Sequence, residues 1–357
     1  MPANPATGPR IRVLVVDDSL FMRTIISRML EDAGDIEVVG TATCGEEVLA
    51  AVKQHNPDVV TLDIVMPGMD GLAVLEQLME LHPVPVLMLS TLTTNNADAT
   101  IEALEKGAVD VVAKPGDLAP MMPQVAGDLA EKVRAAAGVN TAHLGAQAER
   151  PHPALPTHDL ANYPAPLDAL IVGASTGGLP ALNIVAGALQ PDFPAGVLLL
   201  QLMPPGFTSA LAERLAEVCM LPVKEAHDGD VFEPGKILLA PAGMTVDFVR
   251  AANLVYLKVS AATANGGSTA LIDHAMTSAA QVFAERGMGV ILTGMGEDGA
   301  RGLSAMRDAG AYTIAEHEDS AVIWGMPRAA SQAGAAVALA RANDIPVLVA
   351  GRAKRGV

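Results

Sequence analysis

Two groups of residues in this chain have types and spacing suited to chemistry. The first is acidic. Asp17 and Asp18 follow the apolar run Val13–Val16, and Asp63 follows Val59–Leu62. Ser90 follows the run 84–89, and Lys114 follows 109–112 within VVAKP. Carboxylates gathered in one place repel, and an oxygen set of this kind suits Mg2+. A metal offsetting charge, beside an ammonium and a hydroxyl able to hold phosphate oxygens, suits phosphoryl chemistry. The second group centres on Ser175, in Gly173-Ala174-Ser175-Thr176-Gly177 between an apolar run and a helical pattern. Gly-x-Ser-x-Gly at a strand-to-helix turn exposes the hydroxyl at a helix N-terminus, where backbone N–H groups favour an oxyanion. A Gly-rich phosphate loop is the rival reading. Dinucleotide sites place an acid near the end of the next strand, whereas this one ends in Gln201-Leu202-Met203. Asp298, in VILTGMGEDGARGL, would orient a catalytic base or cap a helix beginning near Gly299.

These residues need elements to bring them together. From Arg12 to Val133, short buried strands alternate with amphipathic helices. Strands are expected at 12–16, 36–42, 59–62, 84–89 and 109–112, and helices at 20–32, 46–55, 71–81, 96–106 and 118–136. Five β-α units mean a doubly wound parallel sheet, with ligands outside the carboxyl ends of its strands. Periodicity vanishes between 138 and 166, where PHPALPTHDLANYPAP reads as an exposed tether. Its histidines (His143, His152, His158) are irregularly spaced and lack acidic or Cys partners, so they read as linker rather than metal ligands. From Leu167 to Arg352 the alternation resumes. Strands are expected at 169–172, 196–202, 236–240, 254–258, 289–292 and 311–315, with helices at 179–189, 208–217, 271–285, 299–309 and 327–333. The organisation is therefore an α/β domain over 10–136, a Pro/Ala-rich linker over 137–166 and a second, mostly parallel α/β domain over 167–355.

Composition agrees. A chain of 357 residues supports two domains. Half its residues are apolar but only 3% aromatic, so Val, Leu, Ile, Ala and Met must fill the cores. A net charge of −17 argues against binding nucleic acid or anionic lipid. No apolar stretch is long enough to span a bilayer, and the polar start, Met1 to Arg10, shows no secretion signal. Cys44 and Cys219 lie far apart and read as reduced thiols of a cytoplasmic protein.

VLVVDDS, TLDIVMPGMDGL, LMLST and AKP resemble the receiver domain of two-component response regulators in order, spacing and strand placement. The resemblance implies a flavodoxin-like fold in which Asp63 accepts phosphate from a sensor histidine kinase. Asp17, Asp18, Asp63 and the Val65 backbone carbonyl would hold Mg2+, and Ser90 and Lys114 would sense the phosphate. The family's aromatic switch residue, three positions before the Lys, is here Val111. GASTGG, MPPGFT, KEAHDGD, LLAPAGM, LTGMGEDGARGL and GMPRAA are similar to the chemotaxis protein-glutamate methylesterases, which are also protein-glutamine deamidases. With the receiver–linker–effector order, the resemblance covers nearly the whole chain. It implies a serine-esterase α/β domain, without cofactor, that hydrolyses glutamyl methyl esters on methyl-accepting chemoreceptors. Ser175 would be the nucleophile, Asp298 the orienting acid and the Met295 backbone N–H an oxyanion donor.

One departure bears on activity. The family's catalytic histidine lies in QHMPPGF, where this chain reads Gln201-Leu202-Met203-Pro204-Pro205-Gly206-Phe207. Leu202 accepts no proton, and serine is a weak nucleophile without a base. Loss of the base in a serine hydrolase costs roughly 10⁶-fold in rate, ~8 kcal/mol of barrier. The family's basic segment, approximately NRHRPSVD, is replaced by 265–273, which keeps neither Arg nor His. His227, His274 and His317 read as surface residues rather than substitutes. Impaired catalysis is the expectation. The alternatives are an active methylesterase, a non-catalytic response regulator that binds receptors or another partner, and a different hydrolase using Ser175 and Asp298.

Overall fold

The computed structural model describes residues 9–66, 70–91, 94–114, 122–139, 141, 160–262 and 270–354. The linker histidines and the segment 263–269 lie outside the described residues. The chain divides into two compact units, Met1–Glu149 and Arg150–Val357.

The first unit runs β1 (Ile11–Val16), α1 (Leu20–Asp32), β2 (Ile36–Ala42), α2 (Gly45–His55), β3 (Val59–Asp63), α3 (Gly71–Leu81), β4 (Val86–Ser90), α4 (Thr94–Glu105), β5 (Asp110–Ala113) and α5 (Met122–Ala137). Its sheet is parallel with order β2-β1-β3-β4-β5. Strands β3 and β4 are buried along their whole length, as helices on both faces require. The order reverses between β1 and β3, so the crevice opens beyond their carboxyl ends. Local chemistry starts the flanking helices there. Ser19 caps α1 by accepting the Met22 N–H, and Asp70 caps α3 by accepting those of Leu72 and Ala73. At Gly71 any Cβ would lie 2.1 Å from the Asp63 carbonyl oxygen, so α3 can return this closely to β3 only with glycine.

The second unit contains β6 (Ala169–Ala174), α6 (Gly178–Gly187), β7 (Gly196–Gln201), α7 (Thr208–Val218), β8 (Val223–Glu225), β9 (Ile237–Leu239), β10 (Met244–Ala251), β11 (Leu254–Ala261), α8 (Leu271–Phe283), β12 (Gly287–Ile291), α9 (Ala300–Asp308), β13 (Tyr312–Glu316), α10 (Met326–Gln332), β14 (Ala338–Ala340) and α11 (Ile345–Ala353). Seven strands form a parallel sheet in the order β14-β13-β12-β6-β7-β9-β8. Both units are thus α/β with parallel sheets, as the alternation predicts. The second order reverses at β6, between β12 and β7, which places the crevice beside the residues after β6 and β12.

One strand departs from expectation. Residues 254–258 belong not to the sheet but to an antiparallel hairpin, β10–β11, paired from Met244↔Ala261 to Ala251↔Leu254. Phe248 of the hairpin packs edge-on against Phe232 and Phe283, with ring centroids 4.9 and 5.3 Å away. The hairpin thereby covers α8. Its turn carries Ala252 at φ 52°, without the Asn-Gly or Asp-Gly pair that marks such turns in sequence. Strands β8 and β14 span three residues each, too few for periodicity to register.

Candidate functional site

The acidic residues of the first unit converge. Ligand oxygens of Asp17, Asp18 and Asp63 lie within 4.8 Å of one another. Asp17 and Asp63 are buried, and Lys114, arriving from the end of β5, places Nζ 2.8 Å from Asp17 Oδ2 and 2.5 Å from Asp63 Oδ2. Burial raises the Asp63 carboxyl above its ordinary value; Lys114 opposes this and Asp17 adds to it. The ammonium bridges two carboxylates without satisfying them fully: Asp17 Oδ2 has no well-aligned hydrogen bond despite its proximity to Nζ. Such a set of half-satisfied carboxylate oxygens is a typical Mg2+ site. The Ser19 and Val65 amides donate to Asp17 Oδ1 (2.9 Å) and Asp63 Oδ1 (3.2 Å), fixing the carboxylates.

Two features of this pocket escape a sequence reading. Arg23 of α1 donates to the backbone carbonyls of Asp17 (2.7 Å) and Asp18 (3.0 Å), clamping the acidic loop to its helix. The only linear signal was its place one turn into a helix that follows the acids. Ser90, buried at the end of β4, accepts a hydrogen bond from Thr100 Oγ1 of α4 at 3.1 Å. At the position of the family's aromatic switch, Val111 is buried and its carbonyl accepts from Lys132 Nζ (2.7 Å), which ties β5 to α5.

In the second unit Ser175 caps the end of β6 and is 8% exposed. Its amide donates to the Thr293 carbonyl (3.1 Å), and its carbonyl accepts from the Gly178 amide and Gln201 Nε2, each at 2.8 Å. Gly177, at φ 72°, makes the turn into α6. The loop after β12 lies directly against the elbow: a Cβ on Gly294 would stand 2.8 Å from Ser175 Cβ. Among the described residues the next amide, that of Met295, has no hydrogen-bond partner, and neither has Ser175 Oγ. A backbone donor left open beside a serine is the arrangement an oxyanion needs.

Asp298 does not cap the helix that follows it. It caps α8 rather than α9, because the fold brings the α8 N-terminus across the loop: Oδ2 accepts the Ile272 amide (3.1 Å) and Oδ1 that of Asp273 (2.9 Å). Gly299, the N-cap of α9, has no side chain to bond that helix's free amides. Burial raises the Asp298 carboxyl, and the two amides pull it back down.

Comparison with known proteins accounts for both units. Residues 13–126 match the family model of the response regulator receiver domain, and residues 170–349 that of the CheB methylesterase. A protein-glutamate methylesterase/protein-glutamine glutaminase of Chromohalobacter salexigens is 42% identical over 353 residues, covering 98% of each chain. Similar proteins from Agrobacterium fabrum (44% over 328 residues, 91% of each chain) and Oleidesulfovibrio alaskensis (39% over 358 residues, 94% of this chain and 97% of that one) carry the same description. The chain belongs to the CheB methylesterase family. It is a chemotaxis response regulator with a methylesterase domain.

Within this CheB-type domain, Leu202 follows β7, its amide bonded to the Ala174 carbonyl (2.9 Å) and its side chain packed against the core. With Leu200, Gln201, Met203, Met244 and Leu271 it lines an apolar cavity of about 190 Å3. Two of the three candidate histidines pair their rings with acids. His274 Nε2 pairs with Asp247 Oδ1 at 2.8 Å, His317 Nδ1 lies 3.4 Å from Asp319, and His227 sits in the loop between β8 and β9, its amide bonded to Asp230. Cys44 and Cys219 are both free thiols. Among the described residues no helix is long and apolar enough to cross a membrane.

Proposed function

We propose that this CheB-type chain is a phosphorylation-controlled regulator of chemotaxis-type adaptation whose glutamyl methyl ester hydrolysis, and the accompanying glutamine deamidation, is impaired at the proton-transfer step. One observation carries the reading: among the described residues Ser175 Oγ has no hydrogen bond to any base, while Leu202 stands at the position of the family histidine.

In the receiver, Asp63 takes a phosphoryl group from a histidine kinase. Asp17, Asp18, Asp63 and the Val65 carbonyl would hold Mg2+, which supplies positive charge beside the transferred group. Lys114 already spans Asp17 and Asp63, so its ammonium is placed to turn to a phosphate oxygen. Ser90 supplies the hydroxyl that senses the phosphate. New charge at Asp63, with new contacts from Lys114 and Ser90, is the input by which such receivers control an attached domain.

In the effector, a glutamyl methyl ester of a chemoreceptor would meet Ser175, with its carbonyl oxygen facing the Met295 amide. Attack requires the serine to lose its proton, methanol to leave with a proton, and water to hydrolyse the acyl-enzyme. Leu202 can mediate neither transfer, and Asp298, held by the α8 amides, has no imidazole to orient at that position. The elbow and the oxyanion donor remain, so the domain keeps the means to hold an ester carbonyl without the base that turns it over.

The test is methanol release from methylated chemoreceptor by the native chain and by Leu202→His, with and without a small-molecule phosphodonor. We expect near-background release from the native chain and a gain of at least about 100-fold on restoring the imidazole, the typical worth of general-base catalysis. Native hydrolysis abolished by Ser175→Ala would sink the impaired reading. A second reading, a hydrolase for a different ester, is favoured only by the apolar cavity beside Leu202; activated esters with apolar acyl chains test it in the same assay.

A further inference from the structure

We propose that Glu316 is a positioning residue of the serine elbow: its buried carboxyl holds the Thr293 peptide, which sets the Ser175 turn against the Met295 amide. The inference rests on the reading of Ser175 as nucleophile and Met295 as oxyanion donor.

Glu316 ends β13, two strands from Ser175, and is fully buried. Its carboxyl makes two hydrogen bonds. Oε2 accepts the Thr293 amide at 2.7 Å, and Oε1 accepts Ser320 Oγ at 2.7 Å. The other side of the same residue faces the elbow: the Thr293 carbonyl accepts the Ser175 amide at 3.1 Å. Thr293 Oγ1 accepts the Ile323 amide (2.8 Å) and lies 3.1 Å from the Ile323 carbonyl and 3.3 Å from that of Thr176. Gly294 is locked in turn, its amide on the Ile323 carbonyl (3.1 Å) and its carbonyl on the Met326 amide (2.8 Å). Met295 follows directly. A short chain of bonds therefore runs from the Glu316 carboxyl to both the nucleophile's backbone and the oxyanion donor. Displacing the Thr293 peptide moves both together.

The carboxyl has two states that this network can accept. Ionised, it takes a charge-assisted hydrogen bond from Thr293, stronger than a neutral one. Protonated, it can donate to Ser320 Oγ. The Ser320 hydrogen then turns to the His317 carbonyl at 3.4 Å, while Ser320 Oγ still accepts the Ala342 amide at 3.0 Å. No heavy atom needs to move; only the grip on Thr293 weakens. Burial pushes the carboxyl up to about 7, so both states lie within reach near neutral pH.

Strands β12 and β14, which flank β13, carry no charged residue. Its other neighbours bring charges that are paired among themselves: Arg301 with Asp273 and Arg307 with Asp308 on α9, and His317 and Arg341 with Asp319 around the loop after β13. Arg328 of α10 is exposed. The carboxyl's own hydrogen-bond partners are the uncharged Thr293 and Ser320.

The experiment follows the backbone amides of Ser175, Thr293 and Met295 by NMR in the full-length, isotope-labelled chain across neutral pH. The three amides should titrate together with one midpoint near 7, and the titration should vanish in Glu316→Gln, which keeps the shape and both hydrogen bonds. Ser320→Ala, which removes one bond to the ionised form, should shift the midpoint upward, and it serves if Glu316→Gln does not fold. Amides that do not titrate, or titrate unchanged in Glu316→Gln, overturn the proposal. In the Leu202→His background, Glu316→Gln should lower kcat about tenfold with KM unchanged, since a neutral hydrogen bond replaces the charge-assisted one that holds Thr293. If Leu202→His gains no activity, the nucleophile assignment falls, and the amide titration still decides whether Glu316 holds Thr293.

Discussion

Asp273 and Asp298 cap each other's helices. Asp298 Oδ1 accepts the Asp273 amide at the start of α8, and Asp273 Oδ1 accepts the Gly302 amide at the start of α9, at 2.9 and 2.7 Å. Each carboxylate satisfies orphan N–H groups of the other's helix and sits at the positive end of its dipole. The carboxylate that could orient a catalytic base is thus also a structural bolt between two helices that pack face to face.

Asp298→Ala should therefore cost about 1–2 kcal/mol of stability in urea unfolding, the loss expected when a capping side chain is removed. If Asp298 served chemistry alone, unfolding would be unchanged. Asp273→Ala should cost a similar amount, plus its pairing with Arg301 (2.9 Å), though that guanidinium is so exposed that it adds little.

At the acidic pocket, Lys114 competes with any bound cation, since its ammonium already sits on Asp17 and Asp63. Replacing it with alanine should tighten Mg2+ binding at least about fivefold, since like-charge repulsion at this range is worth ~1 kcal/mol even in bulk water and more beside buried groups. Calorimetric titration with Mg2+ measures this; unchanged or weaker binding would mean the ammonium and the metal occupy separate places.

Glu316 should also write a pH dependence into stability, and its sign follows from the raised value. Below about 4.5, its ordinary value, the group holds its proton in both states. Between there and about 7 the unfolded chain has ionised it while the folded chain keeps the proton, so stability falls as pH rises. Above that the deficit is constant, on the order of 3 kcal/mol. Glu316→Gln should flatten this fall, measured as the difference in unfolding free energy between mildly acidic and neutral pH. A native and mutant chain with parallel profiles would place the buried proton elsewhere.

Much of this architecture can be read along the chain. Strands buried on both faces read as nearly unbroken apolar runs, as at 13–16, 86–89 and 197–200, and the residue that ends such a run in a parallel sheet stands at one common edge. Asp17, Asp63, Lys114 and Ser175 could be placed at sheet edges for that reason. The hairpin β10–β11 could not, because its turn lacks a turn signature and its strands are held by an aromatic cluster drawn from three separate elements. Arg23 and Thr100 were equally silent: a guanidinium and a hydroxyl on helices look like solvated surface until their backbone and side-chain partners are known.

The amino-acid sequence by itself determined the two α/β units, the convergence of the acids and the replacement of a proton acceptor by Leu202, because residue type, burial period and strand-end position are local properties. The tertiary structure alone decided what Asp298 and Glu316 do. Their partners, Ile272 and Asp273 for one and Thr293 for the other, lie more than twenty residues away in sequence and become neighbours only when β6, β12 and β13 lie side by side. A carboxylate's role depends on which N–H groups the fold brings to it, and no pattern along the chain encodes that.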